Sequence, residues 1–147
     1  MTQGWLLDTN VLSELRKPRP AAKVVAFVGA QPLERLYVSA VTFAEIRFGI
    51  EQVADLHQRA ALGHWLNVQL RPMFENRVLP VSEDIVFKWR LMVEQRRKTG
   101  ITFSQPDLII AATALHHGLT LVSRDTGGFG KKTGVPLVNP WDAAVNH

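Results

Sequence analysis

The chain has 147 residues, no cysteine, and 17 lysines and arginines against 13 aspartates and glutamates, a formal net charge of +4. This length suits one domain whose core folds without a metal or disulfide. The missing cysteines exclude disulfide scaffolds, thiolate zinc sites, cysteine-ligated iron–sulfur clusters and cysteine nucleophiles.

In chain order, Trp5–Leu7 reads as a short buried strand ending at Asp8, and Asn10–Leu15 as a helix. The stretch Arg16-Lys17-Pro18-Arg19-Pro20 reads as a loop, and Ala21–Val28 as a second helix stopped by Gly29. Leu36–Ser39 is a second strand. Thr42 is expected to open the next helix, which carries Phe43, Ile46, Phe48 and Ile50. Asp55 starts a further helix, with Leu62, Trp65, Leu66 and Leu70 at helical spacing, ending before Pro72. Val78–Val81 is a third strand, and Ser82 an N-cap for a helix that closes on Arg96-Arg97-Lys98 and Gly100. Ser104 caps a helix whose Leu108-Ile109-Ile110-Ala111-Ala112 run is apolar nearly all round and therefore central. Leu119–Val122 and Leu137-Val138 are the fourth and fifth strands. Trp65, Trp89 and the phenylalanines are assigned to the core. His57, His64, His116 and His117 are assigned to the surface or to helix-dipole roles. Strands alternating with helices indicate a single α/β domain over residues 1–147, with three α/β/α layers around a mainly parallel sheet of about five strands. No apolar run nears the ~18 residues of a membrane span. The first residues lack the basic and long apolar regions of a signal peptide, so the expectation is a cytoplasmic protein with no membrane contact.

In a parallel sheet, ligands bind beyond the C-terminal ends of the strands. Asp8 follows the first strand and Asp125 stands just past the fourth. Glu45 and Asp107 are expected in the first turns of the helices that Thr42 and Ser104 would open. Taken singly, each has a structural reading: Thr42-Phe43-Ala44-Glu45 and Ser104-Gln105-Pro106-Asp107 resemble capping boxes, Asp8 fits an N-cap, and Asp125 fits a turn. Together, four segments bring one acid each to one edge. Two unit charges ~4 Å apart repel by about 4 kcal/mol at an effective dielectric near 20, so such a cluster calls for protons or a cation. An all-oxygen site suits Mg²⁺ or Mn²⁺ rather than zinc. These ions activate water and stabilise charge on a phosphoryl group. With a pI near 9.9, the chemistry suggested is hydrolysis of a phosphodiester in a nucleic acid.

At these residues the chain resembles the PIN-domain nucleases. The resemblance is carried by Leu6-Leu7-Asp8-Thr9-Asn10-Val11-Leu12-Ser13-Glu14, by 38–50 around Glu45, by Pro106-Asp107-Leu108-Ile109-Ile110-Ala111-Ala112-Thr113-Ala114, by 121–129 around Asp125, and by Asn139-Pro140-Trp141. The ordered set is most similar to VapC-type toxins of toxin–antitoxin modules. The resemblance implies a Mg²⁺- or Mn²⁺-dependent endoribonuclease acting on RNA, often a homodimer. It also implies a VapB-like antitoxin that forms a hetero-oligomer with the toxin and binds operator DNA through its own domain. Residue by residue, it implies Asp8, Glu45, Asp107 and Asp125 as the catalytic and metal-holding acids. Thr9 and Ser123 would be hydroxyls that orient carboxylates or metal-bound water. Many relatives carry Asn where Asp125 stands and an acid before the Phe, where this chain has Gly128. Lys131, Lys132 and Arg124 are the candidate RNA contacts.

Two rival classes remain. One is a PIN-fold module that binds RNA or protein without cutting. The other is a phosphotransferase or phosphatase using Asp8 as nucleophile, against which Asn10 counts, because haloacid-dehalogenase-like enzymes place a second Asp there.

Overall fold

The computed structural model describes residues 4–100, 105–124 and 134–142. Its five strands are β1 (Trp5–Leu7), β2 (Leu36–Ser39), β3 (Val78–Leu79), β4 (Thr120–Val122) and β5 (Leu137–Val138), in the spatial order β3-β2-β1-β4-β5. Every pairing is parallel; Leu6 of β1 lies opposite Tyr37 of β2 and Leu121 of β4. Parallel neighbours need crossover connections, and helices supply them. They are α1 (Thr9–Arg16), α2 (Ala22–Gly29), α3 (Ala40–Glu51), α4 (Leu56–His64), α5 (Arg71–Met73), α6 (Glu83–Thr99) and α7 (Gln105–His117).

Strand side chains alternate between two separate cores. Leu7, Leu36, Val38 and Val122 join Val11, Leu12, Phe27, Phe43, Leu66, Leu70 and Phe74 on one face of the sheet. Leu6 and Leu121 join Ile85, Met92, Leu108, Ile110, Ala111 and Leu119 on the other. The sheet is thus sandwiched between helical layers, as expected for α/β/α. Ala111, Ala112 and Ala114 are fully buried, which makes α7 the central helix that its sequence announces. No helix among the described residues is long and apolar enough to cross a membrane.

Several boundaries depart from the sequence reading. Helix α3 begins at Ala40, because the Ser39 hydroxyl accepts the Val41 N–H. Thr42 is therefore already inside the helix and fully buried, so the Thr42–Glu45 capping box does not form and Glu45 stands in the second turn. The helix expected to stop before Pro72 runs past it. After α4 the chain forms a π-helical segment, Trp65–Leu70, in which the Arg71 N–H reaches back to the Leu66 carbonyl, and Pro72 then sits in the first turn of α5. Proline lacks a donor and crowds the preceding turn. The wider π turn accommodates it without ending the rod. Strand β3 stops at Leu79, where Pro80 cannot donate to a ladder. Leu119 is not in β4; its N–H bonds to the Ala114 carbonyl and closes α7.

Phe48 and Phe87 are 68% and 62% exposed, against their assignment to the core. Helix α6 ends as expected: Gly100 takes φ +73°, and its N–H bonds to the Arg96 and Arg97 carbonyls. A residue with a side chain is strained in that left-handed conformation.

Candidate active site

The C-terminal ends of β1 and β4 lie side by side, and the Asp8 N–H continues their pairing by donating to the Val122 carbonyl at 2.9 Å. Asp8 is only 5% exposed. It is both an N-cap and a cleft residue. Its Oδ1 accepts the Thr9 N–H at 2.7 Å, and its Oδ2 accepts the Ser123 hydroxyl at 2.8 Å. Asn10 completes this side: its Nδ2 donates to Ser123 Oγ at 3.3 Å and its Oδ1 accepts the Arg124 N–H at 3.3 Å. Asn10 was not among the sequence-derived site residues, because nothing local reveals a bond to a residue more than a hundred positions away.

A second polar cluster sits on the other side of Thr9. The Thr9 hydroxyl lies 3.2 Å from Thr42 Oγ1 and donates to Glu45 Oε1 at 3.3 Å. A hydrogen bond thus joins Thr9 at the start of α1 to Glu45 of α3. Burial raises the pKa of Glu45 above its ordinary value; the Thr9 bond opposes this, and the negative charge of Asp107 adds to it. Asp107 stands in the first turn of α7, where the helix dipole favours a carboxylate.

Asp8 and Asp107 line one cleft of about 380 Å³, together with Asn10, Glu14, Lys17, Arg124 and Trp141. Glu45 lines a neighbouring groove of about 260 Å³ with Ile46, Ile50, Leu62 and Trp65, and Thr9 borders both spaces. Asp125, Lys131, Lys132 and the Ser104 cap lie outside the described residues. Among the described residues no three acidic or imidazole side chains form a metal-holding group by themselves. Yet the donors are all oxygens, and Mg²⁺ is usually held by one or two carboxylates while keeping several waters. Asp8 and Asp107 in one cleft, with Glu45 sensing Asp107, fit such an ion.

Glu14 is a buried acid in the same cleft. Its carboxylate accepts the Ala21 N–H at 2.8 Å and contacts Lys17 Nζ at 2.9 Å. The Lys17 bond, and then the Ala21 N–H, hold its pKa below the ordinary 4.5. A carboxylate with a lowered folded-state pKa contributes stability above its unfolded pKa and loses it as pH falls through the folded value. Glu14→Gln should therefore flatten the loss of thermal stability below pH 4.5, which melting curves at stepped acid pH will show against the parent protein.

The PIN domain family matches residues 5–134. The VapC ribonuclease Y4jK of Sinorhizobium fredii is 37% identical over 139 residues, spanning 95% of this chain and 99% of that protein. Toxin FitB of Neisseria gonorrhoeae is 37% identical over 136 residues, spanning 92% and 97%. The chain is a PIN-domain protein of the VapC type. A chain in the solved structure of FitAB bound to a fragment of IR36 DNA superposes on this PIN domain with a TM-score of 0.88 at 34% identity, covering 97% of one and 99% of the other. The five-stranded parallel sheet and its helices therefore recur in this VapC-type group together with the sequence.

Proposed function

We propose that this PIN domain is an endoribonuclease toxin that hydrolyses RNA phosphodiester bonds with Mg²⁺ or Mn²⁺ and is held inactive by a cognate antitoxin. The observation that carries the reading is the meeting of Asp8, directly after β1, and Asp107 from α7 in one cleft at the C-terminal edge of the sheet. Asp8 and Asp107 would hold the ion, with Glu45 and Asp125 joining directly or through water. When bound, the ion supplies an activated water and neutralises charge developing on the phosphate. Ser123 and Thr9 fix the carboxylates' direction, and Asn10 fixes Ser123.

The relatives support the reading by name, one being a ribonuclease and one a toxin. The FitAB assembly bound to an IR36 DNA fragment supports an antitoxin partner; the operator contact made by that partner, and a toxin homodimer at the centre of the hetero-oligomer, are parts of the same proposal.

The test uses protein freed of antitoxin and a long single-stranded RNA. Cleavage should appear with Mn²⁺ or Mg²⁺, stop with EDTA, and return when the ion is restored. Loss on chelation should be at least about 100-fold, the order expected when a principal electrostatic stabiliser is removed. Absence of cleavage together with absent Mn²⁺ binding by calorimetry would leave the non-cutting PIN module as the reading.

A further inference from the structure

Arg124 follows β4 directly and is exposed at the mouth of the acid cleft. Exposed arginines are usually loosely held, but this one is fastened at three points. Its N–H donates to Asn10 Oδ1 at 3.3 Å, its carbonyl accepts Asn139 Nδ2 at 3.4 Å, and its guanidinium lies 4.8 Å from the centre of the Trp141 ring. Trp141 is itself placed by the Asn139 side chain, whose Oδ1 accepts the Trp141 N–H at 2.9 Å, and by packing against the core that holds Leu7 and Val122. Three residues from two parts of the chain, Asn10 on one side and Asn139 and Trp141 on the other, thus hold one planar cation at the cleft that Asp8 and Asp107 also line. Glu14, the acid whose pKa Arg124 also lowers through space, already has Lys17 and Ala21 as partners. Among the described residues no carboxylate forms a salt bridge with Arg124.

Resting on the ribonuclease reading, we infer that Arg124 is a preorganised clamp for a phosphate of single-stranded RNA, and that Trp141 is its positioning residue. A guanidinium stacked on an indole keeps its outward N–H edge free, and its fork geometry suits a phosphate oxygen pair. Placed beside the acids, it would attract the backbone that they alone would repel and hold it in register with the cleft. The chemistry is sequence-independent, as a backbone contact is.

The test measures binding of a fluorescent oligouridylate to Asp8→Asn protein across a salt series, and Mn²⁺-dependent cleavage in the otherwise unaltered protein. Arg124→Ala should raise Kd about tenfold, the scale of one charge-assisted hydrogen bond. It should also make the slope of log affinity against log salt shallower by about 0.7, as loss of one phosphate contact on a single strand does. Trp141→Leu should weaken binding several-fold. The double variant should be no worse than Arg124→Ala alone, because Trp141 acts through Arg124. Arg90, which packs near Trp89 on α6, is the control: Arg90→Ala removes the same charge and should change neither affinity nor slope. Melting temperatures identify variants that misfold, and Arg124→Ala, at an exposed side chain, keeps the test sound if Trp141→Leu does.

If the parent protein cuts RNA while Arg124→Ala binds it like Arg90→Ala with an unchanged slope, the clamp is refuted and the stacking is structural. If Arg124→Ala loosens only the complex with the antitoxin, the lip belongs to the protein partner and the clamp is equally refuted. Failure of the parent protein to bind or cut RNA would instead overturn the reading of the cleft, and the clamp with it.

Discussion

Asp8→Asn should abolish RNA cleavage, by at least about 10²–10³-fold, while leaving the protein folded. The hydrogen bonds around Asp8 explain why the two effects separate. The Thr9 N–H can only donate, so the amide oxygen of the new side chain must face it. The amide nitrogen then faces Ser123 Oγ, which now accepts where it previously donated. Both neighbours stay bonded, so the stability change should stay near 1 kcal/mol. What disappears is the negative charge next to Asp107, and with it the means of holding a divalent cation. Gel-based cleavage with Mn²⁺, run beside circular dichroism and a melting curve, checks both halves. Undiminished cleavage by a folded Asp8→Asn protein would refute the placement of the metal.

The parts of this site that were legible in the sequence share a physical reason. Asp8 and Ser123 end buried strands, and Asp107 opens the most apolar helix; both positions are fixed by patterns a few residues long. The sheet's position between two cores was equally legible, since Leu6 and Leu7, like Leu121 and Val122, are apolar in succession, as strands covered on both faces must be. The start of α3 was not. Ser39 and Thr42 both carry capping hydroxyls three residues apart, and local propensity does not choose between them. The choice falls to the sheet, because Ser39 is the last β2 residue paired with β3, opposite Leu79. Thr42 is thereby freed to face Thr9.

The exposed phenylalanines teach a related lesson. Phe87 is two residues beyond the buried Ile85, so at about 100° per residue it points about 200° away. Phe48 stands two beyond Ile46, with the same result. Hydrophobicity suggested a core position, and helix geometry denied it once the buried face was known. Asn10 and Trp141 were missed because their importance lies in contacts made after folding, Asn10 with Ser123 and Arg124, Trp141 with Arg124.

Phe74→Ala should be among the most destabilising single changes in this fold, costing about 3–5 kcal/mol. Phe74 has no exposed surface and is the largest of the fully buried side chains. It packs edge-on against Phe43 of α3 with ring centres 6.4 Å apart, in the core that also holds Leu66 and Leu70 of the π segment. It also terminates α5, its N–H bonded to the Arg71 carbonyl, and its own carbonyl accepts the Arg77 N–H at 2.8 Å in the turn leading to β3. Arg77 in turn donates from Nε to the Leu36 carbonyl at 3.0 Å and from its guanidinium to the Met73 carbonyl. A void at Phe74 would thus open beneath the connection that carries the chain from the π segment into the sheet edge. The surrounding backbone is tied to β2 and cannot collapse fully to fill it, which puts the cost in the upper part of the cavity range. Phe74→Leu keeps most of the volume and should cost roughly 1–1.5 kcal/mol. Urea unfolding of both variants measures the difference. If Phe74→Ala costs no more than Phe74→Leu, the α3–α5 side of the core is not the rigid support that holds Glu45 beside Thr9.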